Sequence, residues 1–478
     1  MGFRFWYMKT KKSVKSNYIF NAIYQLSCII VPIVTLPYLS RTLHAEGLGE
    51  YSFAYSVAYY FYIFIRLGLH NYGNRTIAYV KNDEVALART FSDIFSFQLF
   101  LGVVGSGGYL LYCFFISSNR ITSLIFSLVV MTGGIDLTWA LYGLEEFTIT
   151  SIRDVIVKIA TAVLIFIFVK EAYDVWKYAL IFSIGFMVSQ VISLLVVVKR
   201  IHFTRPELSG VISHIKPNLI LFLPTIAVSI YKTMDKIMLG SISGDTELGY
   251  YHSCENIIMV PLALITALGT VMLPRVSNMI SNNVEDSETK NTFNKSIMFA
   301  MFVSTSICFG IMTVAKEFVP LFFGDGFDRC IDIFIVILPS CVFLAFANVI
   351  RTQYLLPRKK DVFFVASLFA GAFVNLVLNV LLIPRYASVG AAVGTLVAEV
   401  TVCIIQAAYV YKEADIEKNV LDSLPFIMAG ILMFVSGYSI TLHLHNELLA
   451  LLLKIIISGI IYMVVLIGIK LFTKIIKF

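Results

Sequence analysis

A chain of 478 residues that is 58% hydrophobic and only 14% charged, with a mean hydropathy of +0.84, has too few polar residues to cover a water-facing surface. Apolar runs of about 20 residues, each long enough to cross a hydrocarbon core, recur from end to end, which excludes a soluble domain. Short alternating strands are lacking, which excludes a transmembrane barrel and leaves an all-α polytopic membrane protein.

The opening MGFRFWYMKTKKSVKS is basic and runs straight into an apolar segment. At 17–38 that segment is too long for a signal core and has no Ala-x-Ala exit, so an uncleaved anchor is expected. Spans are expected near 17–39, 49–70, 91–116, 121–143, 153–170, 176–198, 216–240, 249–273, 293–315, 330–350, 361–383, 388–411, 424–443 and 448–471, about fourteen in all. The joins are short, with no room for a separate soluble domain.

An even span count puts both termini on one side. The large majority of the 37 lysines and arginines fall on that side, which the positive-inside rule makes cytoplasmic. The net charge of +7 therefore reads as a topology signal and contact with membrane lipids, and nucleic acid is not an expected partner. The seven cysteines are scattered without a C-x-x-C pair and read as small buried hydrophobes. His443 and His445 flank a turn without further ligands, so no metal is expected. No G-x-x-x-x-G-K-[ST] loop occurs, so no nucleotide cofactor is expected either.

A weak internal repeat organises the chain. Leu48, Gly49 and Tyr51 fall opposite Leu248, Gly249 and Tyr251 at an offset of 200 positions, and Tyr142 parallels Tyr354. Because six is even, two six-span halves have the same topology and are related by an axis along the membrane normal. The expected division is a lobe at 1–199, a cytoplasmic linker at 200–215, a second lobe at 216–412 and two appended spans at 413–478.

Charges within spans are the candidate functional groups, because a central charge costs about 2.5–3.5 kcal/mol on insertion scales and so faces a partner or a wet cavity. The clearest are Arg66, Asp136, Lys158, Lys232, Asp235, Lys236, Glu255, Glu399 and Lys454. Lys232 and Lys236 share a helix face with Asp235 beside them, which reads as a partly neutralised cationic patch lining a passage. The competing reading is a local ion pair whose lysines snorkel to the interface. Arg66 has the fork that suits diphosphate oxygens, against a role in fixing span depth. Arg41 sits at the external end of the first span, where Glu46 or Glu50 competes with a ligand. Asp136, Asp235, Glu255 and Glu399 are candidates for binding a coupling ion, against hydrogen-bonded packing or ion pairing. Lys454 is expected to contact another helix or to snorkel. Prolines 32, 37, 224, 261, 274 and 339 allow bends. The aromatic cluster from Tyr51 to Tyr62 either stacks on sugars or forms an interfacial belt, the latter favoured.

LPYLSRTLHAEGLGEYSFAY resembles the opening signature of the bacterial polysaccharide flippases, the Wzx or O-antigen translocase branch of the multidrug/oligosaccharidyl-lipid/polysaccharide exporter superfamily. RLGLHNYGNRTIA, DKIMLGSISGDTELGYY, KEFVPLFFGDGF and PRYASVGAAVGT are similar to later landmarks, so the resemblance spans nearly the whole chain. His44 departs from it, standing where a glycine is usual. The resemblance implies two six-helix bundles around a central cavity that opens alternately to each side of the bacterial inner membrane. It also implies a substrate, an undecaprenyl-diphosphate-linked oligosaccharide turned from the cytoplasmic to the periplasmic leaflet, and polysaccharide polymerase and chain-length machinery as partners. Cavity cations meeting the anionic headgroup are carried over to Arg66, and less directly to Lys232, Arg41 and Lys236. A drug or cationic-metabolite antiporter on the same fold is the alternative, and it favours a cavity dominated by acids. A membrane enzyme needs a sizeable external loop, and the short joins speak against one.

Overall fold

A computed structural model describes residues 14–282, 285–440 and 446–476, with side chains described from Ile23 to Ile469 except at 231, 232 and 286. Residues 1–13 of the basic opening, and His443 and His445, lie outside the described residues. Every regular element among the described residues is helical: α1 (Val14–Arg66), α2 (Leu69–Val80), α3 (Glu84–Phe115), α4 (Arg120–Thr132), α5 (Thr138–Gly143), α6 (Phe147–Phe168), α7 (Val175–Val198), α8 (Leu208–Ser243), α9 (Asp245–Ser281), α10 (Asp286–Phe323), α11 (Arg329–Ile337), α12 (Pro339–Ile350), α13 (Asp361–Tyr409), α14 (Ile416–Tyr438) and α15 (Glu447–Ile476). A 3₁₀ turn, Ala172–Asp174, precedes α7, and a π-helical turn, Arg351–Leu355, follows α12.

Ten stretches among the described residues are long and apolar enough to cross a membrane. Two of them hold two expected spans each, because α1 is broken at His44 and α13 at Ala387. The other two expected spans are α4, only 13 residues long and continued past a break by α5, and α6, whose Arg153, Asp154 and Lys158 lower its hydropathy. About fourteen crossings result, as the apolar runs predict.

The bend in α1 has a backbone cause. His44 has φ 56° and ψ −177°, close to a region that a Cβ makes nearly inaccessible to residues other than glycine. At the equivalent position Gly244 has φ 86° and ψ 176°, between α8 and α9. The sequence anomaly at His44 is thus a residue holding a glycine conformation. In α13 the bend at Ala387 is fixed by Glu247, whose carboxylate accepts the Ser388 N–H at 3.1 Å and the Ser388 hydroxyl. That carboxylate satisfies an N–H freed at the start of the second limb.

Two compact units emerge. One comprises the described residues up to Thr35 with Ala58–Lys170 and Trp176–Leu223, and the other comprises Leu36–Val57, Glu171–Val175 and the described residues from Pro224. The first is packed around Leu69, Phe91, Ile94, Leu137 and Trp139, all essentially inaccessible. In it the segment before α8 is tied to α3: Ser92 Oγ accepts the Thr204 N–H at 2.9 Å and Asp93 accepts the Glu207 N–H at 3.0 Å.

In the second unit the two repeats meet directly. A Cβ on Gly49 would lie 1.7 Å from the carbonyl oxygen of Asp245, and one on Gly249 would lie 1.8 Å from that of Ala45. Only glycine permits either approach. The appended helices pack on α10, where Lys454 of α15, 1% exposed, meets Glu317 at 2.6 Å and Tyr462 bonds Thr305 at 2.9 Å. Lys454 therefore contacts another helix.

Polarity runs inside out relative to a soluble protein. Val103, Phe115, Ile121 and Phe373 are 68–80% exposed, whereas Asp93, Asp136, Asp235 and Lys454 are 3% exposed or less. Apolar side chains outside and satisfied charges inside are what a hydrocarbon solvent selects.

Candidate functional site

In the first unit the site is built where a span is interrupted. The glycine pair Gly133–Gly134 ends α4, and the chain runs unwound to α5. Unwound backbone at membrane depth needs internal partners, and Gln98 of α3 supplies them. Its amide donates to the carbonyls of Gly133 (2.7 Å) and Asp136 (3.0 Å), while its oxygen accepts the Trp139 indole N–H at 2.9 Å. Gly102 lets α3 approach this closely, since a Cβ there would fall 2.7 Å from the Cα of Gly134.

The interruption presents Asp136, 1% exposed. One carboxylate oxygen accepts the Thr138 N–H at 3.0 Å, and the other takes the Tyr62 hydroxyl at 2.5 Å and stands 2.9 Å from Arg66 Nε. Arg66 ends α1 one turn after Tyr62, with its guanidinium 5.2 Å from the Tyr62 ring centroid. Its side chain keeps 19% of its surface exposed. A guanidinium carries five N–H donors, so this one remains able to donate to an anion while its charge is balanced from behind by Asp136. The structure thus brings together two residues marked separately in the sequence. His70 and Tyr142, edge to face at 5.7 Å, lie just beyond.

In the second unit Asp235, also 1% exposed, sits in a cage of neutral polar groups. Asn379 donates to Oδ1 at 2.7 Å, and Thr395 and Tyr251 donate to Oδ2 at 2.7 and 3.2 Å. Asn375 bridges to Asn379 at 3.2 Å and stands 3.5 Å from Asp235. Asn379 Oδ1 is buried without a hydrogen-bond partner. The Asp235 carboxylate with the Thr395 hydroxyl beside it offers oxygen donors of the kind that suits a small hard cation.

The remaining sequence candidates are dispersed. Lys236 pairs with Glu255 at 2.6 Å, both partly exposed. Arg41 donates to the carbonyls of Leu321 (2.6 Å) and Phe322 (2.9 Å) at the C-terminus of α10, where the helix dipole favours a cation. Glu399 is 5% exposed on the second limb of α13. The side chain of Lys232 lies outside the described residues. Charge alone did not disclose Tyr62, Gln98, Asn375, Asn379 and Thr395. The spacing of Asn375 and Asn379, one helical turn apart within an apolar run, is the signal that marks the cage.

Fold and sites define a polytopic α-helical membrane protein whose bundles enclose ion pairs and polar cages. The chain belongs to the polysaccharide biosynthesis protein family, whose model matches residues 14–280, more than half of it. It is 25% identical over 417 residues to a protein of Escherichia coli (strain K12) named "Putative O-antigen transporter", covering 84% of this chain and 98% of that one. Its fold is that of the lipid II flippase MurJ in an inward closed conformation, with a TM-score of 0.73, 15% identity and coverage of 94% and 97% of the two chains. A multidrug resistance MATE family transporter of the MOP superfamily, inward-facing, matches with a TM-score of 0.61 at 16% identity, over 83% of this chain and 99% of that one.

Proposed function

We propose that the protein is a flippase that carries an undecaprenyl-diphosphate-linked oligosaccharide from the cytoplasmic to the periplasmic leaflet of the bacterial inner membrane by alternating access. The observation that carries this reading is Arg66, a guanidinium held in place by Asp136 and Tyr62 yet still partly exposed. Similarity over 84% of the chain to the protein named "Putative O-antigen transporter" supports it. A multidrug resistance transporter shares the fold, but a cationic cargo, the alternative weighed from the sequence, is disfavoured by an arginine at the site.

The task has a clear physical obstacle. Each sugar hydroxyl taken unpaired through hydrocarbon costs several kcal/mol, and a bare diphosphate far more. Arg66 offsets part of the second cost, with Lys236, Lys232 and Arg41 as lesser contributors. Outward movement of negative charge gains about 2.3 kcal/mol per charge per 100 mV of inside-negative potential. Asp235 is the coupling-ion residue in this reading, with Asp136 serving Arg66, and Glu255 and Glu399 secondary. Both termini are read as cytoplasmic from the positive-inside rule. The lobes are read as 1–199 and 216–412, with the polymerase and chain-length machinery as downstream partners.

Deletion of the gene tests this directly. Lipid-linked repeat units should accumulate facing the cytoplasm, with loss of surface polysaccharide. Unchanged polysaccharide together with altered drug tolerance would favour the antiporter instead.

A further inference from the structure

A second polar site lies wholly within the second unit, at the end of the bundle where α10 and α13 begin and the α13–α14 turn passes. A cavity of about 300 Å³ there is lined by Thr289, Lys290, Gln353, Tyr354, Arg358 and Glu413, among others. Gln353 is 1% exposed, and neither its amide nitrogen nor its amide oxygen has a hydrogen-bond partner within the protein. Leaving a buried amide without a partner carries a cost in stability. The cost persists here in the π-helical turn Arg351–Leu355, a backbone form that is rare and concentrated at functional sites.

The lining specifies a ligand chemistry. Arg358 is stacked 3.9 Å over the Tyr354 ring, which fixes its charge at the cavity wall. Lys290 is 44% exposed at the rim and pairs with the comparably exposed Asp415 at 3.6 Å, an ion pair that water screens. Arg358 and Lys290 bring positive charge to the lining beside the carboxylate of Glu413, a mixture that suits an anion such as a phosphodiester. The Gln353 amide needs one acceptor and one donor, and Glu413 accepts a further donor. A phosphodiester that also carries hydroxyls meets all of these demands. A membrane protein's surroundings supply one where basic residues such as Lys359, Lys360 and Lys412 stand at helix ends facing the headgroup layer.

We propose that this cavity is a binding site for the phosphoglycerol headgroup of an anionic phospholipid, separate from Arg66 and independent of what the protein transports.

The test uses the full-length purified protein in detergent and follows thermal unfolding with added phosphatidylglycerol, phosphatidylcholine, or glycerophosphoglycerol, the same headgroup without acyl chains. Phosphatidylglycerol should raise the midpoint of the wild type and phosphatidylcholine should not. Gln353→Met should lose that rise while being no less stable than the wild type without lipid. Arg358→Gln should weaken phosphatidylglycerol binding about tenfold, as expected on losing one charged hydrogen bond. A rise with glycerophosphoglycerol alone supports the site and assigns its ligand to a soluble phosphodiester. Equal responses in wild type and Gln353→Met would overturn the proposal. So would marked destabilisation of Gln353→Met in the absence of lipid, since that shows the amide already has a structural partner.

Discussion

Gly49 and Gly249 exchange places across the repeat: each lies against the backbone four residues before the other, at Asp245 and Ala45. Such reciprocal contact is the signature of an isologous, twofold-related interface, here within one chain. Alanine at either position must drive the two segments apart, because a backbone carbonyl cannot rotate away as a side chain would. Gly49→Ala and Gly249→Ala should each destabilise the protein by about 3 kcal/mol or more, the upper end for overpacking. Thermal unfolding in detergent checks this, and a wild-type midpoint for either variant would contradict the reciprocal approach.

His44 gives the opposite sign. Residues other than glycine in such sparsely populated backbone conformations carry about 1–3 kcal/mol of strain, of which extra unfolded-state entropy of glycine cancels part. His44→Gly should therefore raise the unfolding midpoint by an amount equivalent to about 1 kcal/mol. Gly244→Ala should lower it. A fall with His44→Gly would show that the imidazole makes contacts that outweigh the strain.

For Arg66 the prediction must separate charge from stability. Arg66→Ala should abolish export, but it also leaves Asp136 buried and uncompensated, a loss of about 3–5 kcal/mol. Arg66→Gln combined with Asp136→Asn removes both charges and should restore much of the lost stability. It should still fail to export, whereas Arg66→Lys should retain part of the activity. Export by the doubly neutral variant at normal expression would remove Arg66 from the mechanism.

The spans, and the charges within them at Arg66, Asp136 and Asp235, were legible in the sequence, because a hydrocarbon solvent demands long apolar runs and makes such exceptions conspicuous. Asp93, Glu247 and Glu317, nearer span ends, did not stand out in this way. What was not legible was partnership. Arg66 and Asp136 stand in different spans, and nothing local links them. Lys236 and Asp235 are adjacent in sequence yet turn to different partners, Glu255 and the asparagine cage. Gln98 escaped notice because a neutral amide costs little on a hydropathy scale, although it holds the broken span together. The repeat aligned Gly49 with Gly249, but contact between the two is a tertiary fact that a sequence offset does not contain.

Asp235→Asn separates coupling from folding. The amide keeps the size of the carboxyl group and some of its hydrogen bonding, so the loss should stay near the 0.6–2 kcal/mol typical of polar contacts within membranes. Transport should lose its response to an imposed sodium or proton gradient. A variant that responds like the wild type would assign coupling elsewhere, with Glu255 and Glu399 next to be tested as amides.

The most direct measurement is made on the purified protein in proteoliposomes loaded with an undecaprenyl-diphosphate-linked oligosaccharide, scoring with time the fraction of sugar accessible to an external glycosidase. The wild type should equilibrate the two leaflets, while vesicles holding the doubly neutral Arg66 and Asp136 variant should stay at the initial accessible fraction. Equal rates in wild-type, variant and protein-free vesicles would contradict the account.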